Sequence, residues 1–131
     1  MRFAGYAAVF GRPDRGGDVV RPGAFAGSLK RRAGAVPLLW QHDPARPVGR
    51  IEYLREDGRG LRVIARLSGG AAGRAAAALL KAGKVAGLSF GYRVRRASGR
   101  EPRVLEDVDL LEVSLVLAPM QPKSRVHAVE G

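Results

Sequence analysis

Three apolar stretches of this 131-residue chain put a side chain able to do proton or acyl chemistry among strand-forming residues. Pro37-Leu38-Leu39-Trp40-Gln41-His42-Asp43 holds a histidine, Gly87-Leu88-Ser89-Phe90-Gly91-Tyr92 a serine, and Leu110-Leu111-Glu112-Val113-Ser114-Leu115-Val116 a carboxylate. A hydroxyl nucleophile needs a base to take its proton, and that base works best when a third group orients it. Ser89, His42 and Glu112 can fill those roles. Their order along the chain is His, Ser, Glu, so only folding can bring them together.

The elements that must position them read mainly as short strands. Arg2 to Phe10 has the composition of an opening strand, and Gly11 to Asp18 that of a loop. Ala24 to Ala33 sets Phe25, Leu29 and Arg32 at helical spacing. Pro37 to His42 is strand-like, and Pro44 and Pro47 are expected to end it. Val48 to Arg55 and Leu61 to Leu67 form a hairpin about Asp57-Gly58-Arg59-Gly60. The spacing predicts a second helix over Ala71 to Ala82, stopped at Gly83 by a left-handed cap. Two extended runs follow, Val85 to Arg96 and Val104 to Leu117, separated by the turn Ala97-Ser98-Gly99-Arg100. No repeat or linker interrupts the sequence, so residues 1–131 read as a single α+β, mainly β, domain.

The two-residue period of a strand assigns faces. Leu38, Trp40 and His42 share one, which makes His42 the end of an apolar stripe. Leu111, Val113, Leu115 and Leu117 share another, opposite Glu112, Ser114 and Val116. A carboxylate entering a half-buried strand is normally paired, and either a histidine or an arginine from a neighbouring strand would serve. Gly87-Leu88-Ser89-Phe90-Gly91 fits G-x-S-x-G, but the nucleophile elbow of that pattern needs a following helix, with the acid and then the histidine downstream. Here the helix precedes Ser89, a strand follows, and His42 lies upstream. The glycines retain a physical use: Gly87 and Gly91 share the face of Ser89 and clear room for a polypeptide, with backbone N–H groups free to meet an oxyanion. A serine between glycines is equally a plain packing accommodation.

Composition sets the bounds. With no cysteine, disulfides, thiolate zinc sites and cysteine nucleophiles are excluded together. The N-terminus lacks a signal-peptide core and no run approaches the ~20 apolar residues of a membrane span, so the chain reads as soluble and intracellular. A net charge of +11, from 23 basic and 12 acidic residues, attracts phosphates and acidic polypeptides. The arginines are scattered over what should be solvated strand faces, with Lys30-Arg31-Arg32 the one cluster, and no nucleic-acid motif accompanies them. DNA contact is therefore expected to be nonspecific at most.

Five collinear segments carry a family resemblance: Gly5-Tyr6-Ala7-Ala8-Val9-Phe10-Gly11, Gly17-Asp18-Val19-Val20-Arg21-Pro22-Gly23-Ala24-Phe25, Leu38 to Asp43, Gly87 to Tyr92 and Leu111 to Val116. From about Gly5 to Pro119 the chain resembles the prohead (capsid maturation) serine proteases of tailed bacteriophages, leaving a short segment 120–131. The resemblance implies a fold like the herpesvirus assemblins: a β-barrel of about six or seven strands with two or more flanking helices. It implies His42 as general base, Ser89 as nucleophile and Glu112 as third member, in the place where assemblins carry a second histidine. Lys123 and Arg125 are the residues it suggests for holding the oxyanion, and Gly87 and Gly91 those beside the substrate. His127 reads as a surface residue.

The implied activity is that of a serine endopeptidase with no metal or organic cofactor. Its substrates would be the scaffolding region of a major capsid protein or a separate scaffold, and the protease itself. It would act inside the assembling procapsid in the bacterial cytoplasm, as a homodimer or higher oligomer, in a phage, a prophage or a gene transfer particle. The alternative is a non-catalytic basic β-barrel that binds nucleic acid or shapes the capsid, in which Ser89 would be buried with no histidine in reach.

Overall fold

Alternation of apolar and basic residues builds the sheet. Along Gly60–Leu67, Leu61, Val63, Ala65 and Leu67 are buried while Arg62, Ile64 and Arg66 face outward or lie at the edge of the core. In the computed structural model, which describes residues 1–32 and 35–131, the strands are β1 Arg2–Val9, β2 Asp18–Val20, β3 Leu38–Trp40, β4 Asp43–Glu56, β5 Gly60–Leu67, β6 Gly87–Ser98, β7 Arg103–Val116 and β8 Val126–Glu130. Helix α1 (Ala26–Arg31) precedes β3, and α2 (Ala71–Lys81) lies between β5 and β6.

The strands run in the order β2-β7-β3-β4-β5-β1-β8, with β6 paired to β7. β7 is the hub: β6 pairs it antiparallel, while β2 and β3 pair it in parallel. Covered on both faces, its last five residues are all buried, which is how Glu112 and Ser114 come to lie inside. The eight-stranded sheet does not close into the expected barrel. Among the described residues, β6 meets the segment leading into β8 through the isolated bridge Gly87–Arg125, flanked by Leu88 N–H donating to the Ser124 carbonyl (2.9 Å) and Val126 N–H to that of Ala86 (2.8 Å).

Several boundaries differ from the sequence reading. Pro44 and Pro47 do not end a strand; they lie within β4, in the stretch that pairs β3 before pairing with β5 begins at Gly49. A proline lacks a ladder donor and is tolerated where one strand edge is free. The first helix is shorter than Ala24 to Ala33, and Ala33 lies outside the described residues. Its start is held from outside: the Glu56 carboxylate accepts from the N–H groups of Gly23 (2.6 Å) and Phe25 (3.0 Å). Asp18 begins β2 instead of ending a loop, β6 continues through Ser98, and the 120–131 segment contains β8, which pairs β1. The second helix is nearly as expected. Gly83 takes φ +70° after it, and Gly73, Ala76 and Leu80 are its buried residues.

Two ties hold α1 against β7. Ser28, fully buried, accepts from Leu110 N–H (2.8 Å), and the Arg32 guanidinium grips both oxygens of Asp109 (3.0 and 3.1 Å). The Phe25 ring meets Phe90 edge-on at 5.1 Å, seating the stretch after Ser89 in the core.

Candidate active site

His42 is where the sequence reading needs most correction. β3 ends at Trp40, and Gln41 and His42 form the turn of a tight hairpin in which Trp40 pairs Asp43. Both turn residues take positive φ, 51° and 61°, in a connection that normally favours Asn-Gly. His42 is thus no buried end of an apolar stripe: its side chain is 44% exposed. Bonds to β7 hold the strained turn. Gln41 N–H donates to the Leu115 carbonyl (2.9 Å), Leu117 N–H to Gln41 Oε1 (2.8 Å), and His42 N–H to Ser114 Oγ (3.1 Å).

The imidazole then meets the carboxylate. His42 Nδ1 is hydrogen-bonded to Glu112 Oε1, so of the two partners left open for Glu112 the structure selects the histidine. This bond and the attraction of the carboxylate raise the His42 pKa above its ordinary value, against the lowering effect of partial burial. The other oxygen, Oε2, accepts from Ser114 Oγ at 2.6 Å. Gly91 stands across from Glu112, and a Cβ there would overlap the carboxylate.

Ser89 pairs directly with Ser114 across β6 and β7, so its side chain shares the sheet face of Ser114 and Glu112. Residues so paired keep Cβ atoms ~4.5–5.5 Å apart. Ser89 is 4% exposed, and its Oγ shares no hydrogen bond with His42 among the described residues. In unliganded enzymes such bonds are often long and tighten on substrate. The bridge at Arg125 brings the Lys123–Arg125 segment alongside β6 just before Ser89, with both basic residues exposed. Gly87, by contrast, faces the Val116 carbonyl and the Pro119 ring. His127 is exposed and contacts Arg62, away from these groups.

The residue that sequence reasoning missed is Ser114. Its one signal was spacing: two positions beyond Glu112 in a strand, hence on the same face. A hollow of about 460 Å³ lined by Trp40, Arg46, Val48, Ala72, Ala76 and Leu79 opens between β4 and α2, beside the histidine turn, and Ser89 is not part of its wall.

The family model for the caudovirus prohead serine protease matches residues 1–131. This chain belongs to that family. The prohead protease of Enterobacteria phage HK97 is 31% identical over 135 residues, covering 98% of this chain and 60% of that protein, so the chain spans less than two thirds of that relative's length. Among solved structures, the capsid assembly protease of bacteriophage T4 is similar with a TM-score of 0.71 at 16% identity, over 90% of this chain and 82% of that one. The KSHV protease, solved with a hexapeptide phosphonate inhibitor, gives 0.63 at 14% identity, over 95% and 63% of the two chains. The varicella-zoster virus protease gives 0.57 at 15%, over 96% and 62%. At these identities the likeness is one of fold, and it agrees with the assemblin-like architecture expected of this prohead protease family member.

Proposed function

We propose that this chain is a serine endopeptidase of capsid maturation that uses Ser89 as nucleophile, His42 as general base and Glu112 as the acid that orients the base. The observation that carries the reading is the His42–Glu112 bond formed on β7 one strand away from Ser89, in a chain of the prohead protease family. With Nδ1–H donated to Glu112, the imidazole presents Nε2 as the acceptor for the Ser89 proton. Oγ attacks the scissile carbonyl, and the proton held on Nε2 passes to the leaving amine. Water, deprotonated by the same nitrogen, then hydrolyses the acyl-enzyme. Glu112 stays ionised throughout and stabilises the imidazolium.

Lys123 and Arg125, on the segment beside β6, are suited to hold the oxyanion, directly or through water. Gly91 leaves room beside Ser89 for both Glu112 and an approaching polypeptide; Gly87 contributes by letting Pro119 pack against β6. The substrates are the scaffolding region of the major capsid protein or a separate scaffold, and the chain itself. The setting is the procapsid in the host cytoplasm, with the chain acting as a homodimer or higher oligomer. Family membership favours this reading over a non-catalytic barrel.

A fluorophosphonate probe is expected to acylate Ser89, and Ser89→Ala to abolish both labelling and peptide cleavage while the fold survives. Labelling at Ser28, Ser68 or Ser114 instead would overturn the assignment.

A further inference from the structure

We propose that Ser114 is a positioning residue for the reaction: its hydroxyl, donated to Glu112 Oε2, sets the carboxylate with Oε1 against His42 Nδ1. The inference rests on the triad reading above and adds to it a fourth side chain that touches neither substrate nor scissile bond.

A carboxylate on a strand can turn about its side-chain bonds, and Glu112 is useful to the base in only one orientation. Two contacts and one clearance set that orientation. Oε1 meets His42 Nδ1, Oε2 takes the Ser114 proton at 2.6 Å, and the backbone of Gly91 leaves space for the carboxylate. The direction of the serine bond is unambiguous, because an ionised carboxylate can only accept. The Ser114 oxygen in turn accepts the backbone N–H of His42 at 3.1 Å. One fully buried hydroxyl therefore holds the acid by its proton and the base by its lone pair, across two neighbouring strands.

Without the hydroxyl, Oε2 is left buried without a donor and the carboxylate is free to turn from the imidazole. The Nδ1–H tautomer then loses its anchor. Ser114 is 0% exposed and is itself the cross-strand partner of Ser89, out of reach of solvent, so its loss should act on turnover and not on substrate affinity.

The experiment is steady-state cleavage of a peptide substrate by the full chain carrying Ser114→Ala, Glu112→Gln or both, with fold checked by thermal melting. Ser114→Ala is expected to lower kcat by ~10–100-fold, the scale of a hydrogen bond to a charged group, with KM changed less than about threefold. In the Glu112→Gln background, with no carboxylate to hold, adding Ser114→Ala should cost less than about threefold more. The near-isosteric pair Ser114→Thr and Ser114→Val differs in the hydroxyl alone. Thr should retain most of the turnover and Val should not, which also decides the matter if the alanine variant does not fold. An unchanged kcat, a loss confined to KM, a full additional loss in the double variant, or equal Thr and Val variants would each overturn the inference. The triad reading fails differently: the unsubstituted chain would not cleave, or Ser89→Ala would remain active.

Discussion

As the proposed general base, His42 would accept a proton only when neutral, so the acid limb of kcat/KM should track its pKa. Glu112 raises that pKa by hydrogen bond and by charge, while partial burial lowers it. The sign is therefore fixed: activity should rise with pH through a value above the ordinary imidazole range of ~6.5. Glu112→Gln removes both raising causes and leaves the desolvation, so the limb should move to lower pH while maximal turnover falls by orders of magnitude. Rate profiles of the two proteins over pH check this, and an unmoved limb would detach Glu112 from the base. In folding the same pair acts in the opposite sense. The stability it lends is full below the unfolded histidine pKa and is lost as pH rises through the folded value. The three groups proposed as the triad stand out in the sequence because each lies in or beside an apolar run. The surroundings of His42 were not: nothing in Gln41-His42 announces two left-handed residues, since the strain is held by bonds to β7, far along the chain. Ser114 was silent for a related reason, an uncharged residue at home in any strand.

Strand pairing turns those residues into a site, and Gly91 shows how narrowly. A methyl group added there meets the Glu112 carboxylate, the movable end of a side chain, not backbone. Gly91→Ala should consequently leave the fold nearly intact, because the carboxylate can swing aside, while cutting turnover by ~100-fold or more as it leaves the imidazole. Melting temperature and kcat measured on one preparation separate the two effects. Wild-type turnover would mean that Glu112 is not needed in its observed place. At this scale the sequence was readable where local chemistry decides. α2 ends as expected because Gly83 can adopt φ +70°, and the β4–β5 hairpin follows from its glycine-containing loop. It was misread where a distant partner decides: the prolines of β4 survive because one edge there is free, and β2 and β8 exist because β7 and β1 offer edges to pair.

Over the whole molecule, the outward side of α2 offers Ala71, Ala72, Arg74, Ala75 and Ala78 to solvent, while Gly73, Ala76 and Leu80 face the core. Small side chains around a single arginine suit a closed symmetric contact, and self-association through this face would couple activity to crowding inside a shell. Specific activity is expected to climb with protein concentration in step with the dimer fraction seen by sedimentation. Constant specific activity across a range where the species stays monomeric would rule out activation by association. The incomplete ring has a consequence in time. Synthesis delivers the chain from its N-terminus, so Ser89 leaves the ribosome before β7, which carries Glu112, and before the Ser124–Val126 stretch that lies against β6. β1 likewise waits for β8, the later-made of that pair. A nascent chain of this design would carry Ser89 through translation unarmed, without the partner strand that the proposed mechanism needs.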